Sequence, residues 1–266
     1  MSIKVLVTGS RGQLGKTIEE LYLKNKLGLD FTFVTKTELD ITNHKSVKSF
    51  FSQKKFDYCI NCAAYTNVEQ AEKTPEIAFK INAEGVKYLA ESCKASNVVL
   101  IHISTDYVFD GEKQEPYLET DLTNPINKYG ESKLLGEEYI KNILKKYFII
   151  RTSWLYSKKH GKNFYKSILK KAKTEKELFV TNEQTGCPTE TDSLAKFIID
   201  LIIIDFRNYG VKHFSDGIVM TWYDFAKHIL SENNLINKTT LVKANKYVTF
   251  ASRPKYTVLK TNLNNV

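Results

Sequence analysis

The chain has 266 residues, of which 42% are hydrophobic and 26% are charged, and its formal net charge is +9. This composition is typical of a globular protein with a sizeable core, and the length allows one large or two unequal domains. The lysines are spread along the whole sequence without an arginine-rich stripe. That pattern favours a solvated surface that attracts small anions over a nucleic-acid partner.

The apolar stretches exclude a membrane span. The longest, residues 197–206, is interrupted by Asp200 and Asp205 and is too short to cross a bilayer, so it is predicted to be a buried helix. The apolar run at the N-terminus is too short for a secretory signal. We therefore expect no leader, no membrane partner and a cytoplasmic location.

The cysteines give no metal or redox signature. Cys59 and Cys62 lie three apart in a predicted strand, where their side chains point to opposite faces. No second pair completes a zinc site, so we predict buried structural thiols and assign no metal-ligating residues.

The first element is a strand that runs into a glycine turn and then a helix. Residues 3–8 are mostly apolar, and Ile18 and Leu21 have helical spacing. Between them, Gly9 permits a sharp turn, Gly12 lets a pyrophosphate approach the backbone, and Gly15 lets the helix pack close to the strand. The helix N-terminus offers free N–H groups to a phosphate. An ordinary tight turn is the alternative.

The second strand, residues 30–35, ends where many NAD sites place an acid that binds the ribose hydroxyls. Here the chain has Thr35, Lys36 and Thr37. No carboxylate is expected to repel a 2′-phosphate, and Lys36 is able to pair with one. NADP(H) is therefore favoured, NAD(H) stays open, and a Lys36 that only contacts water is the alternative. Asp40 is a candidate for a contact on the adenine side.

A helix over 44–53 and a third strand over 57–61 follow. The strand ends at Ala63, Ala64 and Tyr65, where small residues let a flat ring or a ribose lie against the backbone. Pro75 then begins a helix that is expected to bury Ile77 among other apolar residues.

Asn82 lies within this predicted helix, where propensity does not favour an amide. A satisfied core amide and a relay to an active site are both open.

The fourth strand, 98–103, delivers Ser104, Thr105, Asp106 and Tyr107 at its carboxyl end, which is where ligands bind in open parallel sheets. Strands and helices alternate at a regular rhythm up to this point. The sequence therefore predicts an α/β fold with a doubly wound parallel sheet.

Tyr129 and Lys133 are four residues apart at the start of a predicted helix, so they project from one face. An ammonium beside a phenol favours the phenolate and is expected to lower the pKa of Tyr129 from about 10. After a nucleotide loop and a Ser-Thr at a strand end, this pair predicts a proton donor.

The chain resembles the extended short-chain dehydrogenase/reductase family, and within it the dTDP-4-dehydrorhamnose reductase branch. The stretches that carry the resemblance run in family order along the chain: Gly9–Gly15, Cys62–Glu69, Ser104–Phe109, Tyr129–Lys133, Arg151–Trp154, Asn163–Phe164, Gln184–Thr189 and Arg253–Pro254.

The resemblance implies reduction of the 4-keto group of dTDP-4-dehydro-L-rhamnose by NADPH, for deoxysugar and polysaccharide synthesis. It assigns catalysis to Tyr129 as proton donor, Lys133 as ribose ligand, and Thr105, rather than Ser104, as hydrogen-bond donor to the developing oxyanion. The cofactor residues that it implies are Gly9, Arg11, Gly12, Gln13, Leu14, Gly15, Thr35, Lys36, Asp40, Ile41, Ala63, Ala64, Tyr65, Tyr129 and Lys133.

The substrate residues that it implies are Thr105, Asp106, Tyr107, Trp154, Asn163 and Arg253. Trp154 and Tyr107 are candidate stacking surfaces, with a core role as the alternative. Arg253 is a candidate phosphate ligand, with a plain surface role as the alternative.

Residues 1–155 are predicted to be the dinucleotide-binding (Rossmann) domain. Residues 156–266 are predicted to be mostly a smaller substrate-binding lobe, with a return of the chain to the sheet edge left open. A nucleotide sugar is the expected partner, and the protein is expected to be a monomer or a homodimer. A Mg²⁺ ion in a dimer contact stays open, as do a reductase or epimerase acting on another nucleotide sugar and a regulatory subunit without turnover.

Overall fold

The computed structural model describes residues 2–23, 27–244 and 249–261. The elements of the first half are β1 (Ile3–Thr8), α1 (Gln13–Tyr22), β2 (Leu29–Val34), α2 (His44–Gln53), β3 (Tyr58–Asn61), α3 (Val68–Lys73), α4 (Pro75–Phe79), α5 (Gly85–Ser96), β4 (Val99–Thr105), α6 (Lys128–Ile143) and β5 (Tyr147–Thr152). The elements of the second half are β6 (Leu155–Tyr156), α7 (Phe164–Lys171), β7 (Glu177–Thr181), β8 (Thr185–Gly186), β9 (Thr189–Glu190), α8 (Thr191–Ile203), β10 (Gly210–His213), β11 (Met220–Thr221), α9 (Trp222–Glu232) and β12 (Thr240–Ala244).

A six-stranded sheet with the order β10-β5-β4-β3-β1-β2 forms the centre of the molecule. All neighbouring strands in it run parallel. The strand order reverses beside β1, and the carboxyl ends of β1, β3, β4 and β5 meet at one edge, where such sheets bind ligands. The predicted doubly wound α/β fold is confirmed.

Helices cover both faces of this sheet. Alternate residues of the central strands, such as Val5 and Ile101, pack with α1 and α8 into one apolar core. The residues between them, such as Leu6 and Leu100, pack with α2 and α5 into a second core. This two-sided burial explains why the strands are almost continuously apolar in sequence.

The helix predicted from Pro75 is interrupted. A π-helical turn over Lys80–Glu84 separates α4 from α5. The extra residue in a π turn rotates the helix face, so positions before and after the turn do not share one buried stripe. Ile77 is 42% exposed, and the expectation that it is buried is wrong, whereas Val86 is fully buried.

A smaller lobe is built from α7, α9, β7 and β12 around a separate apolar cluster that includes Ile168 and Phe225. Between α7 and α9 the chain crosses back to the sheet, where α8 packs on α1 and β10 pairs with β5. The predicted buried helix within 197–206 is the second half of α8, and its Ile198, Ile199 and Leu201 are fully buried. Within the described ranges, no helix combines the length and apolar character needed to cross a membrane.

Candidate active site

A cavity of about 530 Å³ lies at the carboxyl edge of the sheet, between the sheet and the smaller lobe. The predicted site residues on its wall are Arg11, Gly12, Gln13, Leu14, Ala64, Thr105, Asp106, Tyr107, Tyr129, Lys133, Trp154 and Asn163. The predicted residues that do not form part of this wall are Gly9, Gly15, Thr35, Lys36, Asp40, Ile41, Ala63, Tyr65 and Arg253.

The glycine loop is shaped so that a large group can approach its backbone. Gly9 has φ +65°, and a Cβ there would lie 2.6 Å from the backbone nitrogen of Ala63. A Cβ on Gly15 would lie 2.7 Å from Cα of Ser10. Each residue must therefore be glycine for the loop to pack against β3 and α1. A Cβ on Gly12 would meet only the Gly9 carbonyl oxygen, at 3.2 Å, and Gly12 forms part of the cavity wall.

The N-terminus of α1 faces the cavity with its N–H groups available. Among the described residues, no side chain caps this helix at Gly12, whereas Asn43 caps α2 and Asn127 caps α6. Gln13 and Leu14, the first two residues of α1, form part of the cavity wall. Uncapped N–H groups and the positive end of the helix dipole fit the pyrophosphate of a dinucleotide.

Thr105 and Ser104 have different partners at the end of β4. Ser104 donates its hydroxyl to Glu137 Oε1 at 2.6 Å, deep in the core. Thr105 Oγ1 donates to Asp106 Oδ1 at 3.0 Å and accepts from the backbone N–H of Tyr107 at 3.2 Å. The Ser104 hydroxyl is thus committed to Glu137. The Thr105 hydroxyl, on the cavity wall, would act on a carbonyl by turning its proton from Asp106 to the ligand, as the resemblance implies.

Tyr129 lies on the cavity wall, beside the polar side chains of Thr105 and Asp106. Burial raises the pKa of the phenol, and a hydrogen bond with Thr105 only partly opposes that rise. Lys133 does not lower the pKa of Tyr129 here, so the prediction that it does so is wrong for this structure. The reason is that Lys133 Nζ points elsewhere, since it donates to the Ile103 carbonyl at 2.6 Å.

Lys133 is itself strongly affected by burial. Its side chain is 1% exposed, and burial lowers the pKa of its amine to about 8 while the charges of Glu137 and Cys62 act in the opposite direction. Its Nζ also lies 3.2 Å from Nε2 of His102. The amine is thus close to its titration point near neutral pH.

Asp106 carries a buried carboxyl oxygen, Oδ2, for which the described residues provide no hydrogen-bond partner. Burial raises the pKa of this group to about 7, although hydrogen bonds with Thr257 and Thr105 oppose the rise. An unpaired carboxyl on the wall of a cavity is suited to a hydroxyl-rich ligand.

The adenine side differs from its prediction. Glu38 folds back so that its Oε2 accepts from the backbone N–H of Thr35 at 2.7 Å. This hydrogen bond is the largest of the effects that lower the pKa of Glu38, and the positive charge of Arg11 contributes to the same lowering. A carboxylate therefore does lie at the end of β2, and the expectation that none is present is wrong. The sequence does not reveal this carboxylate because Glu38 lies beyond the end of β2, and only a turn brings its side chain back to Thr35.

Trp154 is held by the protein on both faces of its ring. Its indole stacks on Trp222 with centroids 3.6 Å apart, and a Cβ on Gly186 would lie 2.7 Å from its Cε2. Because Cε2 belongs to the central bond of the indole, Gly186 covers the second face. Trp154 therefore offers an edge to the cavity, not the stacking face that was expected. Its φ of +47° is rare for a bulky residue and common at functional sites.

Asn163 and Gln13 tie the smaller lobe to the glycine loop. Asn163 caps α7 through Oδ1 and donates from Nδ2 to Gln13 Oε1 at 3.1 Å. Gln13 Nε2 in turn donates to the Leu155 carbonyl at 2.9 Å. Both amides are engaged within the protein, so their first role is to position the cavity wall, and a direct contact of Asn163 with substrate stays a prediction.

Arg253 lies behind Tyr107. Its Nη2 donates to Glu69 Oε1 at 2.6 Å and its Nη1 to the Tyr107 hydroxyl at 3.3 Å. The Tyr107 ring meets that of Tyr129 edge-on at 5.8 Å. Arg253 therefore supports the wall through Tyr107, and its pairing with a phosphate stays a prediction.

Residues 63–65 and 41 lie beside the glycine loop. Ala63 packs beneath Gly9, and the backbone N–H and carbonyl of Tyr65 are both bound by the side chain of Asn82. Asn82 also donates to Ser132 at 3.0 Å, so its amide is satisfied in the core and simultaneously connects this loop to α6. Ile41 is buried against α5, which leaves only its backbone for a ligand.

Several residues of the site were not predicted from the sequence. Trp222 and Lys162 form part of the cavity wall, and Glu38 and His102 adjoin the two ends of the site. For Trp222 the sequence held one weak indication of a role in the site, since it is one of only two tryptophans in the chain. Across the described residues, no group of three or more acidic, histidine or cysteine side chains is arranged to hold a metal ion. The cysteines are free thiols, and Cys62 reaches the cavity wall.

A parallel doubly wound sheet, a glycine loop and a Thr, Tyr and Lys set around one cavity define an oxidoreductase of the short-chain dehydrogenase/reductase type. The family model described as RmlD substrate binding domain matches residues 3–265. The chain belongs to this family.

Individual relatives agree with this assignment. A dTDP-4-dehydrorhamnose reductase of Aggregatibacter actinomycetemcomitans is 39% identical over 265 residues, which cover 94% of this chain and 88% of the relative. The spore coat polysaccharide biosynthesis protein SpsK of Bacillus subtilis (strain 168) is 39% identical over 256 residues, with 96% and 88% covered. The crystal structure of dTDP-4-dehydrorhamnose reductase from Bacillus anthracis strain Ames in complex with NADP matches with a TM-score of 0.94 at 38% identity, over 99% of this chain and 92% of that one.

Proposed function

We propose that this protein reduces the 4-keto group of dTDP-4-dehydro-L-rhamnose to give dTDP-L-rhamnose, with NADPH as the reductant. The observation that carries the proposal is the convergence of Thr105, Tyr129 and Lys133 on one cavity, beside a glycine loop suited to a pyrophosphate. The names of the relatives supply the sugar and the reductant, and polysaccharide synthesis is the context that they suggest.

The residues divide the cavity between the two ligands. The N-terminus of α1 and Gly12 would hold the pyrophosphate of the cofactor, with Arg11 close to its adenosine half. When bound, a reduced nicotinamide would supply the hydride for the carbonyl carbon. The sugar would lie against Asp106 and Tyr107, where the unpaired Asp106 Oδ2 is available to a sugar hydroxyl.

Tyr129 would give its proton to the carbonyl oxygen as charge develops there. Because burial raises its pKa, the phenol stays protonated at neutral pH, which is the state that a reduction requires. Thr105 would hydrogen-bond the same oxygen, an electrostatic contribution on the order of 3 kcal/mol. Lys133 would donate to the ribose hydroxyls from the floor of the cavity.

Selectivity for NADPH over NADH depends on opposing charges at the end of β2. Lys36 and Arg11 favour a 2′-phosphate, and the carboxylate of Glu38 opposes it. We propose a preference for NADPH, with NADH accepted as well. A cytoplasmic location, a monomeric or homodimeric state and the division of roles at residue 155 also stay predictions.

The decisive experiment follows NADPH oxidation with dTDP-4-dehydro-L-rhamnose in wild type, Tyr129→Phe and Tyr139→Phe. Tyr129→Phe should lower kcat by about 10² to 10⁴ while NADPH still binds, because only the transferable proton is removed. Tyr139 lies on the same helix and is not part of the cavity wall, so its variant should keep the wild-type rate.

Inactive wild-type protein that still binds NADPH would refute this substrate. A UDP- or GDP-linked 4-keto sugar would then be assayed, and product formation without net NADPH consumption would identify an epimerase. A protein that turns over none of these would leave the regulatory role.

A further inference from the structure

A row of buried polar side chains lies behind Lys133 and has no part in the reaction proposed above. The row consists of three register neighbours: Thr8 at the end of β1, Asn61 at the end of β3 and His102 in the middle of β4. All three are at most 1% exposed, in a region that is otherwise apolar. Buried polar groups of this kind are retained only where their hydrogen bonds are satisfied, so the direction of each bond can be worked out.

A backbone N–H group fixes the direction of the hydrogen bonds in this row. The Ala63 N–H, which can only donate, lies 3.1 Å from Asn61 Oδ1. Thr8 Oγ1 donates to the same oxygen at 2.7 Å. The amide oxygen must therefore face Ala63 and Thr8, and the amide nitrogen of Asn61 must face His102.

The orientation of Asn61 selects the tautomer of His102. Asn61 Nδ2 is a donor and lies 3.0 Å from His102 Nδ1, so Nδ1 must accept. An imidazolium is excluded because both of its nitrogens donate. His102 is therefore neutral and carries its one proton on Nε2.

That proton points at Lys133, whose Nζ is 3.2 Å from Nε2. We propose that His102 is a positioning residue that donates its Nε2 proton to Lys133 and thereby favours the Lys133 amine with a lone pair over the ammonium. The amine then donates one N–H to the Ile103 carbonyl and keeps the other for the cavity. An ammonium in the same place would direct one of its three N–H groups at the Nε2–H group of His102, which is itself a donor.

The other groups around Lys133 do not remove this effect. Glu137, one turn further along α6, and Cys62, after β3, both act to raise the pKa of Lys133, yet burial dominates and the pKa is lowered to about 8. The Glu137 carboxylate is also engaged with Arg151 at 2.7 Å. His102 itself has a pKa well below its usual value, chiefly because burial disfavours the charged ring, which agrees with a permanently neutral ring.

The consequence for catalysis rests on the proposed function. A Lys133 that titrates near neutral pH can release and regain a proton within the pH range in which the enzyme works. The ionisation of Lys133 then determines one limb of the pH profile of kcat and kcat/KM. The pH at which that limb lies depends on the buried row of Thr8, Asn61 and His102.

The first test reads the tautomer directly and needs no turnover. Nitrogen-15 NMR of protein labelled at its five histidines distinguishes protonated from unprotonated ring nitrogens. One ring should keep Nε2 protonated and Nδ1 unprotonated between about pH 6 and 9. That signal should be absent from the spectrum of His102→Gln, and its absence would assign the signal to His102. A His102 ring that is protonated on Nδ1, or that becomes an imidazolium in this range, would overturn the proposal.

Asn61→Asp provides an independent variant, because it should reverse the direction of the hydrogen bond between residue 61 and His102. A carboxylate accepts on both oxygens, so the His102 proton should move to Nδ1 and the lone pair should face Lys133. The same NMR measurement should detect the exchange. An unchanged tautomer in folded Asn61→Asp would contradict the inference.

The second test compares pH profiles of kcat and kcat/KM in wild type, His102→Gln and His213→Gln. The amide introduced by His102→Gln can turn its oxygen to Lys133 and accept from the ammonium, so the limb above neutral pH should move upward by about one pH unit. His213 is similarly buried in the same sheet and bonds to the Tyr117 carbonyl instead, so its variant should leave the limb in place.

NADPH binding, followed by fluorescence, should change by less than about threefold in His102→Gln, because the N–H that faces the cavity is kept. A limb that does not move in His102→Gln would show that His102 is structural only. If the wild type turns over no keto sugar, the proposed function fails, and the NMR result still decides the tautomer.

Discussion

The two ends of the cavity are built on different principles. At the catalytic end, Thr105, Asp106 and Lys133 are nearly inaccessible, and burial raises the pKa of Asp106 to about 7 and lowers that of Lys133 to about 8. At the adenine end, Lys36 and Glu38 are exposed and held by a single turn. A buried end fixes protonation states and geometry, whereas an exposed end leaves charges screened and adjustable. Substitutions should therefore have large effects at the first end and small ones at the second.

The largest effect is expected at Thr105. Thr105→Val removes the hydroxyl that would bond the developing oxyanion, so kcat should fall by about 10² to 10³ with little change in NADPH binding. Steady-state kinetics with the keto sugar measures the loss. Thr181→Val is the matched control, since Thr181 on β7 is as buried as Thr105 and does not form part of the cavity wall. Comparable losses in both variants would contradict a specific role for Thr105.

A second effect concerns stability and follows from Asp106. Its pKa rises from 3.8 in the unfolded chain to about 7 in the fold, so the fold binds this proton more tightly. The cost of ionising Asp106 thus begins above the unfolded pKa and is complete only above about pH 7. Asp106→Asn removes that cost. The melting temperature of this variant minus that of wild type should therefore be several degrees larger at about pH 8 than at about pH 5.

Thermal unfolding at the two pH values tests this directly. Asp110→Asn provides the control, because hydrogen bonds lower the pKa of Asp110, so its stabilising contribution is lost only below the unfolded value of 3.8 and the melting-temperature difference of this variant should be the same at both pH values. A melting-temperature difference for Asp106→Asn that is independent of pH would show that Asp106 is not held in its neutral form.

The smallest effect is expected at the adenine end. Glu38→Gln removes the carboxylate that opposes a 2′-phosphate, so the ratio of kcat/KM for NADPH over NADH should rise by about threefold to tenfold. The rise should shrink at high salt because the charge is exposed. Glu177→Gln, on an exposed strand of the smaller lobe, removes an equal charge and should leave the ratio unchanged.

The same contrast explains what the sequence could predict. The glycine loop, the Tyr129 and Lys133 pair on one helix, and the strand that delivers Thr105 are local patterns. The strand was predicted over 98–103 and extends to Thr105 in the structure. The parallel sheet followed from the alternation of strands and helices. These features depend on spacing along the chain, which a sequence displays directly.

Features that depend on contacts between distant segments were not predicted. The pKa of Tyr129 goes in the opposite direction because its phenol is buried and Lys133 Nζ is directed to the Ile103 carbonyl. The Trp154 ring loses its free faces to Trp222 and Gly186, which are far away in sequence. Glu38 returns to β2 through a turn that the composition did not reveal. Each result is decided by packing, which overrides local propensity.

The return of α8 and β10 to the sheet has a consequence for the newborn chain on the ribosome. Until His213 has been synthesised, β5 is an unpaired edge strand and the face of the sheet beneath α8 is open to water. Exposed strand edges and apolar faces are the surfaces through which nascent chains aggregate. Residues 1–155 made alone should therefore need a chaperone to stay dispersed, although they contain every catalytic group assigned above.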